Sequence, residues 1–347
     1  MKILVAVITS LFALPVLSAS ATTHVSESAD PLFRDDATLH VTITAPFKIL
    51  VRERSTEDYL PGVFHFTEAG GTSVEFDVEI RTRGHFRHKN CEYPPLTLNF
   101  KKSQIEGTLF DKQNKMKLVV HCDESSRYEQ TVLREYLAYR LLNTLTDESF
   151  RVRLLQVTYI DSEDRQNQQT RYAFLIEHKN RLAHRLDRKD LDIERTRISA
   201  IQPDQLNLTS VFEFLIGNTD FSPIAGASNE CCHNYVLFGN DVDPLLAIPY
   251  DFDQSGFVNA PYAVPAEQFR IRSVRQRVYR GRCVNNKYID ESIEKFRKYR
   301  DALYSLVSEQ EGLDGGVRKK IVRYMDDFYE IIDEPRNVER RMIDKCL

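Results

Sequence analysis

From Leu39 to Phe100 apolar residues fall at every second position in short stretches, LHVTITAP, SVEFDVEIRTRG and PPLTLNF, with Gly70-Gly71 and Pro94-Pro95 between them. Such alternation predicts strands joined by turns, because successive strand side chains point to opposite faces. A further short strand is expected from Lys117 to Val120. The period then changes. Between Tyr128 and Leu145, the residues Val132, Leu133, Leu137, Tyr139, Leu141 and Leu142 recur at helical intervals behind the polar start Asp123-Glu124-Ser125-Ser126, which predicts a helix. Val152 to Ile160 and Tyr172 to Glu177 read as the strands of a hairpin around the polar turn SEDRQNQQT. An apolar helix follows from Leu206 to Ile216 and stops at Gly217. Beyond it YVLF and LLAIPYDFD flank a Gly-Asn-Asp turn as two short strands. The stretch from Asp290 to Cys346 is helical in pattern almost throughout: IEKFRKYRDALYSLV, VRKKIVRYMDDFYEII and a short helix after Pro335. Strands with one helix, a hairpin, and then a mostly helical half predict an α+β chain in two lobes.

The start of the chain follows a different rule. Lys2 precedes an apolar run from Ile3 to Leu17 that ends in Ala19-Ser20-Ala21, the order of a cleavable signal peptide. Thr9, Ser10 and Pro15 interrupt the run, which is shorter than the roughly 20 apolar residues a membrane span requires. The expected division is a signal peptide over 1–21, an N-terminal extension over 22–38, a β-rich lobe with one main helix over 39–178, and a mostly helical lobe over 179–347. No transmembrane segment is expected after signal cleavage, and the mature chain is placed in the periplasm or outside the cell. All six cysteines lie in that mature part, and an even count in an exported chain favours disulfides. Zinc held by Cys231, Cys232 and His233 is the weaker alternative, since no C-x-x-C or H-x-x-x-H spacing supports it.

A formal charge of −4 argues against a general nucleic-acid binder, which needs clustered cations facing phosphates. One stretch departs from that average. From Arg270 to Arg282 there are six arginines and no acid, which reads either as a solvated face or as a site for a phosphorylated or acidic partner.

The densest polar cluster between apolar runs is GNTDFSPIAGASNECCHNYVLF, followed at once by LLAIPYDFDQSG. Asp220 follows a helix stop, Asn234 precedes a strand, and Asp251 and Asp253 follow the next strand. Phosphoryl transfer asks for such a set: a carboxylate to orient or deprotonate the attacking hydroxyl, and an amide and a carboxylate to hold Mg²⁺ against the phosphates. Asp and Asn also crowd loops because their side chains bond nearby backbone, so each taken alone carries little.

Three segments here, Asn218-Thr219-Asp220, His233-Asn234-Tyr235 and Pro249-Tyr250-Asp251-Phe252-Asp253, resemble the CotH-type (spore coat protein H) kinase family, whose members have an atypical protein-kinase-like fold. IRTRGHFR, KMKLVVHCDESSRYEQTVLREYLAYRLL and YAFLIEH extend the likeness upstream more weakly, so that it covers roughly Leu39 to Gly256. The resemblance implies a two-lobed protein-kinase-like fold with a β-rich N-lobe and a mostly helical C-lobe. It implies Asp220 as the catalytic aspartate, Asn234 and Asp251 as metal ligands, and Asp253 as a further metal group. Lys117 is the lysine expected to contact ATP, with Lys115 as a competitor. Glu135 is expected to pair with that lysine, with Glu129 competing, and Arg83 and Gly84 are expected to approach the phosphates. Pro94-Pro95 stands where the family usually carries a basic pair, and the loop holding Cys231-Cys232 is long for the family.

The activity implied is Mg²⁺- or Mn²⁺-dependent transfer of the γ-phosphoryl of ATP to a Ser or Thr hydroxyl of a protein, with the Arg270–Arg282 stretch available to an acidic substrate. Because ATP is not normally maintained outside the cytoplasm, a catalytically inactive kinase-like binding protein of the cell envelope stands beside it. A metal-assisted hydrolase is a third reading, distinguished by phosphate release without an acceptor.

Overall fold

The structure, a computed structural model, describes residues 29–68, 70–164, 168–225 and 231–347. The signal-peptide segment 1–21 lies outside the described residues. The first half builds strands β1 (Leu39–Ala45), β2 (Leu60–Thr67), β3 (Ser73–Thr82), β4 (Leu96–Phe100), β5 (Lys115–Val119), β6 (Val152–Asp161) and β7 (Gln168–Ile176). Helix α1 (Phe47–Glu53) follows β1, and α2 (Phe86–Asn90), α3 (Lys102–Ile105) and α4 (Ser126–Leu145) follow β3, β4 and β5.

These seven strands close into a barrel in the order β1-β2-β3-β4-β5-β7-β6. Closure is made by β1 lying parallel to β6, from Leu39 opposite Leu155 to Ala45 opposite Asp161. This overturns the expected two-lobed protein-kinase-like fold with a β-rich N-lobe and a mostly helical C-lobe. Alternation fixes which face of each strand is apolar, but the partner of β1 is chosen by a pairing more than a hundred residues away along the chain, which no local pattern encodes.

The barrel is filled by its alternating inward side chains. Val41, Ile43, Phe64, Phe66, Phe76, Val78, Ile80, Leu98, Leu118, Leu155, Val157 and Leu175 are buried in one cluster. Phe64, Phe76 and Phe100 meet Phe110 at ring-centre separations of 5.2–5.8 Å, a spacing at which aromatic pairs add to the burial term.

Helix α4 is capped at Ser125, whose side chain accepts from the Arg127 amide. It is buried on nearly every side, as a helix packed between two layers must be. On one side Tyr136 and Tyr139 lie against Phe174 of β7, on the outer face of the barrel wall. On the other, Tyr139 meets Phe252 at 4.6 Å.

The second half contains α5 (Lys179–Arg185), β8 (Lys189–Asp190), α6 (Pro203–Ile216), β9 (Tyr235–Gly239) and β10 (Leu246–Pro249). Four helices follow: α7 (Ile289–Lys298), α8 (Arg300–Glu309), α9 (Gly315–Ile332) and α10 (Pro335–Arg341). Strands β10, β9 and β8 form a separate three-stranded sheet. Helix α6 begins with Pro203 in its first turn and ends on Gly217 in the left-handed region, φ +63°. The segment IEKFRKYRDALYSLV is two helices, because the backbone turns out of helical geometry at Tyr299.

All six cysteines are paired, as Cys91–Cys122, Cys231–Cys232 and Cys283–Cys346. Among the described residues no helix is long and apolar enough to cross a membrane.

Candidate functional site

The antiparallel register of the small sheet sets Tyr235 opposite Pro249. The residue before β9, Asn234, and the residues after β10, Tyr250 and Asp251, therefore emerge at one edge. The Tyr250 amide donates to the Asn234 carbonyl at 3.0 Å and locks that edge. Both Asn234 (φ +54°) and Asp251 (φ +63°) lie in the left-handed region. Asn and Asp tolerate it better than other side chains, and such backbone gathers at functional sites. The Asp251 amide donates to the Tyr139 hydroxyl of α4 at 2.8 Å, which ties the turn to the central helix.

Asp220 reaches the same edge from the end of α6. Its amide is held by the Asn218 side chain at 2.9 Å. Ser222 pairs with His233 through two backbone bonds of 2.9 and 3.1 Å, so the stems of the loop meet although residues 226–230 lie outside the described chain. Asn234 donates through Nδ2 to the Asp220 carbonyl at 2.6 Å and to Oδ2 at 3.2 Å. His233 Nε2 lies 2.8 Å from Oδ1 of the same carboxylate, and that hydrogen bond, against burial, raises the imidazole above its ordinary value. His233 thus joins the three predicted residues; the sequence reading weighed it only as a zinc ligand.

The barrel wall supplies the cations. Lys117 projects outward from β5, with its Nζ 5.1 Å from the centre of the Tyr250 ring. It keeps solvent contact at the cleft, yet crowding by surrounding protein and then by Arg83 lowers its ammonium to about 8, with Asp251 pulling the other way. Arg83 donates to the Leu96 carbonyl at 3.1 Å. Burial lowers this guanidinium, and Asp251 opposes that shift. Lys117, Arg83 and Asp251 thus share one neighbourhood. Gly84 is exposed at φ +92° with open space around it, so the turn after Arg83 needs glycine for its backbone conformation rather than for lack of room. Lys115 is exposed two residues before Lys117 on the same strand face.

Glu135 is placed differently from expectation. It faces Arg87 of α2, Nη1 to Oε2 at 3.6 Å, rather than the lysine. Both groups are buried. Burial pushes the Glu135 carboxyl up strongly, and Arg87 opposes it. On Arg87 burial acts downward, but Tyr262, Glu135, Asp253 and Asp251 outweigh it and leave the guanidinium raised. Arg87 also donates to the Val120 carbonyl. Arg87 closes the stretch IRTRGHFR but carries no expected role from the sequence, because α2 is a five-residue helix without a side-chain cap. Glu129, the competitor, accepts from the Tyr172 amide at 2.8 Å and serves the fold.

Asp253 is buried beneath Asp251, and burial followed by the neighbouring Asp251 charge raises its carboxyl to about 7. Asp251 itself is exposed. The oxygens carried at this edge are thus the exposed Asp251 carboxylate, the Asn234 side-chain carbonyl and the Asp220 carboxylate, all hard oxygens of the kind Mg²⁺ prefers. Among the described residues no three His, Cys, Asp or Glu side chains converge into a metal cage. The set therefore fits a cation that keeps waters and takes its remaining ligands from phosphates, and it does not fit a cation fully enclosed by protein.

Arginines of the 270–282 stretch divide into two groups. Arg270, Arg272 and Arg275 are exposed. Arg277 stacks on Tyr324, 3.7 Å from the ring centre, and donates to the Phe214 and Leu215 carbonyls. Arg280 donates to the carbonyls of Thr219 at 2.8 Å and Phe221 at 2.5 Å, on either side of Asp220. The second group positions the loop of Asp220.

Set against known proteins, the chain matches no family model and no curated protein.

Proposed function

We propose that this chain is an exported, Mg²⁺-dependent phosphotransferase that moves the γ-phosphoryl of ATP to a Ser or Thr hydroxyl of a protein. The observation that carries the reading is the meeting of Lys117 and Arg83 from the barrel with Asp251 from the end of β10. Asn234 and Asp220 are fixed on the same edge. The roles given to these residues follow the resemblance of 218–253 to the CotH-type kinases.

Lys117 and Arg83 bind the phosphates, and Asn234 and Asp251 would hold the metal, which supplies neutralisation of phosphate charge. Asp220 aligns the acceptor hydroxyl and takes its proton as the new O–P bond forms and ADP leaves with the old bridging oxygen. His233, bonded to Asp220, is the group able to share that proton. Arg270, Arg272 and Arg275 offer an exposed basic surface to an acidic protein substrate. Three disulfides support residence in an oxidising compartment, periplasmic or extracellular.

Thermal unfolding with ATP and either Mg²⁺ or Mn²⁺ tests the binding half. A metal-dependent rise in Tm that Asp251→Asn removes is the expected result. Asp220→Asn should keep the rise and lower transfer to a Ser/Thr peptide by about 10²–10⁴. No metal-dependent rise in the parent protein ends this reading.

A second reading is favoured by one detail: both Asp220 oxygens already accept, from His233 and Asn234. A kinase-like binding protein without transfer would show the nucleotide-dependent rise and no labelled product from γ-labelled ATP.

A further inference from the structure

A cavity of about 570 Å³ opens at one mouth of the barrel, under α1. None of Lys117, Asp220, Asn234 or Asp251 lines it. Its volume is within the range of pockets that enclose small organic molecules, and barrel mouths are a common place for them. Phe47, Tyr93, His121 and Tyr159 form an aromatic box there: the Phe47 and Tyr159 rings are 5.4 Å apart, Tyr93 and His121 are 4.8 Å apart, and His121 and Tyr159 are 6.0 Å apart.

The charged groups around this box balance in number. Three cations (Lys48, Arg52, Arg171) and three acids (Glu92, Glu124, Asp161) line it. Lys48 pairs with Asp164 at 3.0 Å. Tyr93 donates to Glu124 at 3.0 Å, and Arg171 donates to the Glu124 carbonyl at 3.3 Å. Asp161 accepts from the amides of Lys48 and Glu163.

Four buried polar atoms of the lining are left over, Nε of Arg171 and three on neutral groups. His121 is 2% exposed and Tyr159 is 7% exposed, yet both ring nitrogens of His121 and the Tyr159 hydroxyl find no hydrogen-bond partner. Buried polar atoms of native proteins are almost always satisfied, so three such atoms in the wall of one cavity point to a molecule that satisfies them. Burial, then Arg171 and Arg87, pushes the His121 imidazole down to about 4. At neutral pH it therefore offers one donor and one acceptor and no charge.

We propose that the barrel mouth is a binding site for a small, neutral aromatic molecule bearing an amide or hydroxyl group. Its ring lies among Phe47, Tyr93 and Tyr159, and its polar group exchanges hydrogen bonds with His121 and the Tyr159 hydroxyl. A net-charged ligand is disfavoured, because the three cations and three acids of the lining balance and leave no net counter-charge for it.

Saturation-transfer NMR on the purified chain, without nucleotide, tests this with benzamide, benzoate and benzylamine in separate titrations. Benzamide is expected to bind at least about tenfold more tightly than either charged probe. Tyr159→Phe, which deletes one oxygen and keeps the ring, should weaken benzamide several-fold. His121→Leu should weaken it by about tenfold. Equal binding of the three probes, no binding of benzamide, or benzamide binding unchanged by Tyr159→Phe and His121→Leu would overturn the assignment and leave the orphaned atoms to water. Because no metal or ATP takes part, failure here leaves the phosphotransferase reading standing, and the reverse also holds.

Discussion

Glu213 lies on the buried face of α6 and belongs to neither site. Burial raises its carboxyl from 4.5 to about 8, against the opposing pull of Asn218, Arg280 and Tyr235. Between those two values the native chain keeps a proton that the unfolded chain has lost. The stability this group contributes is therefore full below about pH 4.5 and is lost as pH rises through 8. Urea unfolding across that window should show a loss on the order of 5 kcal/mol from this group, which Glu213→Gln removes. Lys117 gives a second residue-scale outcome. With its ammonium lowered to about 8, it is charged at neutral pH and loses charge above that value. Affinity for Mg²⁺-ATP should fall as pH passes 8, and Lys117→Met should be weaker at pH 7 by about tenfold and lack that pH step. Calorimetric titration at three pH values reads both. Among individual residues, the sequence marks Asp220, Asn234 and Asp251 because the first follows a helix stop and the other two flank a pair of short strands. His121 and Arg87 were not legible: each gains its meaning from atoms brought to it by other elements.

Elements whose period repeats over many residues were readable, and short ones were not. Strands β1 and β3 to β7 and helices α4, α6 and α9 announce themselves by alternation or by helical spacing, whereas β2, which Pro61 and Gly62 interrupt near its start, does not. Helix α1 does not, since FKILVRE is seven residues long and starts without a side-chain cap. The Cys91–Cys122 bridge shows what such a short element can carry. It joins the end of α2, which holds Arg87, to the residue after His121. With its ends 31 positions apart in the sequence, its loss through Cys91→Ser with Cys122→Ser should destabilise the chain by about 3–4 kcal/mol. The same double variant should loosen both the Arg87–Glu135 pair and the barrel mouth. Denaturant unfolding gives the first quantity, and hydrogen exchange at Val120 and His121 gives the second.

At the scale of the whole molecule, closure of the barrel is what sets both sites. It fixes β5 so that Lys117 faces outward toward β10 while Leu118 and Val120 face the interior. It also brings the ends of β5, β6 and β7 together around one mouth. Gly62 of β2 is a point where closure allows no side chain. A Cβ there would lie 2.8 Å from the Thr44 carbonyl oxygen of β1 and 3.1 Å from Ala45. Gly62→Val should therefore push β1 away and cost about 3 kcal/mol or more. A fall in Tm together with faster exchange along both β1 and β6, the two strands of the closing pair, is the outcome that checks it.

By itself the sequence determined most of the strands and the longer helices, that its cysteines form disulfides, and which loop gathers acids and amides. These follow from spacing, caps and compartment, all of which act over a few residues or over composition. Only the tertiary structure decided that the strands close into a barrel, which cysteine meets which, that Glu135 answers Arg87, and that an unsatisfied His121 lines a cavity. Those outcomes depend on contacts between distant parts of the chain, where the choice of partner rests on the total burial and hydrogen bonding achieved and not on any local pattern.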